Sequence, residues 1–181
     1  MKQSKAEPTP AAKKLEELYE LIADMEIALM TTRRPDGMLV TRPMATQKRE
    51  SIADLWFVTD VESHKVDELH ADPHVSLGYY NSKTYEWVSV SGTATITQDR
   101  GKIRELYQPD WKAWFNDEGG ERNGGPDDPR LALILVEAQS VSYMKTKYSR
   151  PRVLFEIARG LLTGTDPDIG REEHLSSGEL H

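Results

Sequence analysis

The sequence predicts one α+β domain built on a six-stranded antiparallel β-barrel with helices at its periphery. Three observations lead there. A length of 181 residues corresponds to roughly one domain at ~150 residues each. The strand-like stretches follow one another through short turns, which argues against a doubly wound parallel sheet. A glycine, Gly92, interrupts the middle of a long strand pattern, as expected of a bulge or barrel corner.

The elements follow in order. In residues 11–24, Leu15, Leu18, Tyr19 and Ile22 recur at helical spacing, with Glu16, Glu17 and Glu20 set outward. A strand over 26–32 is followed by Arg33-Arg34-Pro35-Asp36-Gly37. There proline presets φ and glycine accepts positive φ, so the return strand Met38–Thr46 closes a hairpin. Ile52–Thr59 is a third strand, rich in aromatic and β-branched residues. Ser63–His70 is a short helix stopped by Asp72-Pro73, and His74–Tyr80 is a fourth strand. After a turn at Asn81-Ser82-Lys83 comes the long strand Thr84–Gln98. Asp99 is placed to cap a helix carrying Ile103, Leu106 and Tyr107, which leads to Trp111, Trp114 and Phe115. Residues 116–130 hold four glycines and two prolines and read as an irregular, flexible loop. Leu131–Thr146 is the sixth strand, and Val153–Leu162 a last helix with Gly164 as its stop. The domain therefore spans 11–165. Residues 1–10 and 166–181 read as flexible tails, because they carry too little apolar surface to offset ordering.

Composition narrows the class. With 38% apolar and 29% charged residues the chain is globular in type, not collagen-like, mucin-like or disordered. Thirty acidic against 23 basic side chains, and a pI near 5.3, argue against a general nucleic-acid binder. Cysteine is absent, which removes disulfides, thiol catalysis and cysteine metal sites, and suits a reducing cytoplasm. The longest apolar run is Leu131–Val136, far short of the ~18 residues of a bilayer span. The first ten residues lack a signal-peptide core. These features point to a cytoplasmic protein that does not enter membranes.

Most catalytic signatures are missing. His64, His70, His74, His174 and His181 form no HxH or HExxH pattern, so solvated histidines and no metal site are expected. No G-x-S-x-G elbow and no Walker or Rossmann phosphate loop occurs. Two features remain. Thr59-Asp60-Val61-Glu62-Ser63-His64-Lys65 leaves a strand and enters a helix, where free N–H groups and the helix dipole favour an anion. Ser63 either caps the helix or donates to that anion, and Lys65 adds a full charge. Arg42 lies in a strand among apolar and small residues. It is either an outward-facing side chain or, with Lys65, one of two cations gripping a phosphate.

Taken together, Arg42-Pro43-Met44, Trp56-Phe57-Val58-Thr59-Asp60, Ser63-His64-Lys65-Val66 with Leu69, and Asp72-Pro73-His74-Val75-Ser76-Leu77 resemble the pyridoxamine 5′-phosphate oxidase-like flavoproteins. The resemblance is in particular to the general stress protein 26 branch of that family. It runs from about Leu15 to Tyr143, and the order and spacing of the motifs are jointly specific. It implies a split β-barrel, a homodimer, and FMN in a cleft between protomers. It also implies that Arg42, Ser63, His64 and Lys65 hold the FMN phosphate. Met44, Ala45 and Thr46, with Val58, Thr59 and Asp60 facing them, would line the ribityl chain and the isoalloxazine edge. Trp87 stands where oxidase members place a flavin-contacting Gln, and contact with flavin and burial in the core are both open to it.

The departures bear on activity. Oxidases of pyridoxamine phosphate carry a Lys five residues after the Arg, where this chain has Gln47. They also carry a C-terminal Trp and an Arg-x-His pair, whereas here no Trp follows Trp114 and Arg171 precedes Glu-Glu-His. The resemblance thus implies an FMN-binding, general-stress-type protein. It acts either as a flavin-dependent oxidoreductase on another small substrate or as a flavin binder without turnover, with genuine pyridoxamine phosphate oxidation disfavoured. A haem-binding barrel is disfavoured because no histidine stands in an axial position. Trp111, Trp114 and Phe115 read as a satellite core in preference to a ligand lid.

Overall fold

The computed structural model describes residues 9–51, 53–148 and 150–180. Most of the expected N-terminal tail (residues 1–8), Ile52 at the head of the expected third strand, and His181 lie outside the described residues.

Helix α1 (Ala11–Met25) leads into β1 (Ile27–Arg33), the turn at Gly37 and β2 (Leu39–Ala45). Then follow β3 (Leu55–Asp60), α2 (His64–Ala71), β4 (His74–Tyr80) and β5 (Trp87–Thr97). Helix α3 (Arg100–Leu106) and a 3-10 helix, Pro109–Trp114, precede the loop to β6 (Leu131–Thr146). The chain ends with α4 (Arg150–Thr163), β7 (Gly170–Ser176) and α5 (Ser177–Leu180). No helix among the described residues is long and apolar enough to cross a membrane.

All strands are antiparallel, in the order β2-β1-β4-β5-β6-β3, with β7 also on β6. The edge strands β2 and β3 approach where the Gln47 N–H donates to the Trp56 carbonyl (3.1 Å). They form no ladder with each other, and this is the split in the barrel. The bulge foreseen at Gly92 is present: the β5–β6 register shifts between Ser91 and Gly92. A Cβ on Gly92 would stand 2.2 Å from the Glu137 carbonyl oxygen, so only glycine lets β6 approach. Asp99 caps α3 as expected, its side chain accepting from Lys102 N.

Two expectations are corrected. The sheet has seven strands, not six, because residues from the expected C-terminal tail form β7 along the half of β6 that β3 leaves open. Backbone pairing and buried Leu175 supply what the polar sequence does not advertise. Charge holds it too: Arg171 pairs with Glu17 and Glu173, and Lys14 with Glu173. The second correction follows from the first. Glu17 points inward, accepting from the Tyr143 hydroxyl at 3.0 Å and from Arg171. Burial works against its ionisation, but these two donors outweigh that and keep the carboxyl below its usual range.

The main core lies between α1 and the inner sheet face, around Leu18, Ile22, Met30, Phe57, Leu77 and Tyr143. A second cluster, Trp56, Ile103, Trp111, Phe115, Leu131 and Leu133, packs outside β3 and β6. It sets the 3-10 helix beside the split.

Candidate functional site

In β2 the residues Val40, Arg42 and Met44 alternate inward while Thr41, Pro43 and Ala45 stay exposed. Arg42 is therefore not the outward strand residue that alternation also allowed. Its Nη1 donates to Thr32 Oγ1 (2.7 Å), and its Nη2 lies 2.7 Å from Glu68, a buried side chain of α2 that also accepts from Thr32 Oγ1 (2.6 Å). Burial raises the Glu68 pKa, but Thr32 and Arg42 together overcome that and hold the carboxyl ionised below its ordinary value. Glu68 went unremarked in the sequence. The signal was there, since it lies in the inward row of α2 with Val66 and Leu69.

The turn after β3 is built by its own side chains. Ser63 precedes α2 but makes no side-chain cap; its Oγ donates to the Asp60 carbonyl at 2.6 Å. Lys65 Nζ donates to Thr59 Oγ1 and Ser63 Oγ, both at 3.1 Å, and has no carboxylate within 4 Å among the described residues. Partial burial, reinforced by the positive charge of Arg42, lowers the Lys65 pKa. The first N–H groups of α2 have no partner within the helix, and a cation stands beside them. This donor set fits a phosphate.

Arg42, Met44, Ala45, Val58, Thr59, Asp60 and Lys65 line one cavity of about 360 Å³ in the split between β2 and β3. Ser63 supports it through Lys65. Thr46 is turned aside, its hydroxyl 2.9 Å from that of Tyr79, whose burial pushes its pKa up to about 12. His64 is exposed and faces a neighbouring cavity of about 510 Å³ that shares Arg42. Trp87 is not among the lining residues; it pairs with Tyr80 and Met144 at the other end of β5. A larger cavity, about 830 Å³ and bordered by Arg49, Asp54, Thr95 and Glu137, gathers none of the foreseen residues. No three His, Asp or Glu side chains converge as metal ligands among the described residues.

The remaining wall was not foreseen as such: Gln47, Asp110, Trp111, Trp114 and Phe115. Trp111 and Phe115 are core residues, as expected, whereas Trp114 is 82% exposed at the cavity rim. The loop behind them is irregular but not loose, which corrects the expectation of flexibility. Asp128, fully buried, accepts from Gly124 N, Arg130 N and the Arg130 guanidinium. The Arg130 guanidinium is the main reason its carboxyl is held far below the usual range. Gly124, at φ +73°, brings the loop within 3.1 Å of the Lys112 Cα, measured from the Cβ a larger residue would have. The loop grips the turn after β3 through Val61 N to Arg130 O (2.8 Å) and a two-pronged Arg122–Glu62 ion pair.

The chain is similar to known proteins over most of its length. Protein bli-3 of Neurospora crassa is 36% identical over 174 residues, covering 94% of this chain and 83% of that protein. Among solved structures, a Clostridium acetobutylicum protein related to general stress protein 26 of the pyridoxinephosphate oxidase family superposes with a TM-score of 0.66 at 17% identity. It covers 93% of this chain and 98% of that one. A pyridoxamine 5′-phosphate oxidase-related, FMN-binding protein of Nostoc punctiforme gives a TM-score of 0.60 at 13% identity, covering 94% and 98%. At these identities the two structures establish the shared fold. The family described as pyridoxamine 5′-phosphate oxidase like matches residues 13–168, and the chain belongs to that family.

Proposed function

We propose that the protein binds FMN in the β2–β3 split, as a homodimer, and is a flavin-dependent oxidoreductase acting on a small substrate other than pyridoxamine phosphate. One observation carries the reading: Lys65 is a half-buried cation held by two hydroxyls, with no carboxylate within 4 Å among the described residues, at a helix N-terminus. Such a charge is expensive unless an anion meets it. The phosphate would take Lys65, the free edge of Arg42 and the His64-Lys65 backbone N–H groups, with the Ser63 N–H held by the Asp60 carbonyl. Met44, Ala45 and Thr46, facing Val58, Thr59 and Asp60, would flank the ribityl chain and ring edge. A bound flavin supplies the redox chemistry, so the protein need only orient it and admit a partner molecule.

The dimer reading is supported by the outer sheet face. Ile27, Leu29, Leu39 and Tyr80 are about half exposed or more, on adjoining strands β1, β2 and β4. Such a patch suits a symmetric interface. Trp87, beside Tyr80 on this face, would meet flavin across that interface. Against oxidation of a phosphorylated vitamer, the amide of Gln47 is already engaged with Trp111 and the Ala45 carbonyl.

The test is spectroscopic. Purified protein should carry or take up FMN with shifted absorption bands. Anaerobic reduction with NADH, NADPH or light, followed by addition of acceptors, should show repeated turnover. Lack of any flavin uptake, or a bound flavin that no donor and acceptor pair cycles, contradicts the proposal.

A further inference from the structure

The cations of the 360 Å³ cavity stand at one end. Among the described residues that line it, only Arg42 and Lys65 are basic, and both border the phosphate turn. Away from them the wall is Gln47, Asp110, Trp111 and Trp114. Both polar atoms of Gln47 are engaged within the protein: Oε1 accepts from Trp111 Nε1 (3.0 Å) and Nε2 donates to the Ala45 carbonyl (3.3 Å). That pair fixes the 3-10 helix against β2. Trp111 is 3% exposed as a result, while Trp114, one turn later on the same helix, is 82% exposed on the cavity rim. An indole left in water beside a cavity forgoes a large apolar burial until a flat surface covers it. Asp110 has no cation within 4 Å among the described residues and lines the same cavity.

We infer that this wall is the substrate side of the site and that it takes a planar aromatic compound carrying no negative charge. The ring lies against Trp114. Asp110 favours a cationic substituent and opposes an anionic one, and among the described residues no cation stands within 4 Å of it. The inference rests on the flavin reading above, which commits Arg42 and Lys65 to the cofactor phosphate and leaves the far end for a second molecule. It deepens that reading by naming the charge and shape of the substrate.

Equilibrium dialysis of FMN-loaded protein against three naphthalenes of equal ring size tests it: 2-naphthylmethylammonium, 2-naphthylmethanol and naphthalene-2-sulfonate. FMN loading is read first from the bound-flavin absorption spectrum. The ammonium and the alcohol should be retained at least about threefold more tightly than the sulfonate. Asp110→Asn should remove the advantage of the ammonium over the alcohol. Trp114→Ala should lose retention of all three, and Trp114→Phe should recover most of it. Preferred retention of the sulfonate by FMN-loaded protein, or unchanged retention in Trp114→Ala, overturns the inference alone. Protein that takes up no FMN contradicts the flavin reading, and the inference falls with it.

Discussion

The Arg42 Nη2 lies 2.7 Å from the Glu68 carboxylate, so the arginine at the head of the cavity is already half neutralised by an acid from α2 that is only 5% exposed. The pair divides the labour at the phosphate end. Glu68 and Thr32 fix the guanidinium in place, and Lys65, with no carboxylate within 4 Å among the described residues, supplies most of the net charge.

Arg42→Ala should therefore do two things. It should weaken FMN binding, and it should destabilise the fold by about 2–3 kcal/mol, since Glu68 is left buried and unpaired. That lies below the ~3–5 typical of fully buried pairs, because Arg42 keeps partial exposure. Adding Glu68→Gln should restore most of the stability without restoring affinity. Urea unfolding and FMN titration of the single and double variants check both halves. Recovery of affinity in the double variant would contradict the assignment.

Affinity for FMN should fall as pH rises through the region below the ordinary lysine pKa. Burial and Arg42 lower the Lys65 pKa, so its proton is lost early and the phosphate grip with it. On the acid side, affinity should also decline below about pH 6, where the phosphate itself takes up a proton. Riboflavin, which has no phosphate, should show neither limb. In Lys65→Arg the alkaline limb should disappear, because arginine stays charged. Fluorescence titrations from pH 5 to about 10 read all of this.

Asp128→Asn should loosen the loop from 116 to 130 and destabilise the protein by about 2–3 kcal/mol, below the ~3–5 of a fully unpaired buried charge, because the buried Arg130 keeps the more exposed Glu118 as a partner. The pH dependence has a definite sign. Asp128 titrates below its unfolded value in the folded state, so its contribution is complete above about pH 4. It is lost as pH falls further, towards the lowered folded value. Wild type should thus lose stability in that acid window more steeply than Asp128→Asn.

Leu29→Glu, in the middle of the exposed face of β1, should convert the dimer to the 20.5 kDa monomer at micromolar concentration without unfolding it. Light scattering with circular dichroism decides this. Wild type running as a monomer with FMN bound would contradict the dimer reading.

What could be read in the sequence followed from locality. His74–Tyr80 and Leu131–Thr146 match their expected bounds because their apolar patterns are continuous and their ends are marked by Pro73, Asn81, Arg130 and the polar stretch after Thr146. Arg42 to Ala45 and Val58 to Asp60 fall on one cavity because β2 and β3 are the two edge strands of the sheet, so the cavity runs along both strand edges and meets residues of either face. Strand β7 was hidden because GREEHLS holds a single strongly apolar residue. Its pairing depends on the open edge of β6 and on α1 side chains far away in sequence. Trp114 and Asp110 were hidden for a similar reason. Their place in the cavity depends on the Gln47–Trp111 hydrogen bond, which no local spacing encodes. The loop misled because its glycines mark turns, while its order comes from the buried Asp128–Arg130 pair and the Arg122 and Arg130 ion pairs around Glu118 and Glu62.

The central claim is that Arg42 and Lys65 hold a flavin phosphate. Titration of wild type and of Arg42→Ala/Lys65→Ala with FMN and with riboflavin, followed by quenching of flavin fluorescence, tests it most directly. The account predicts that the double variant loses several kcal/mol of FMN affinity, at ~1.5–3 per charge-assisted contact, while its riboflavin affinity barely changes. Equal FMN affinity in wild type and variant would contradict it.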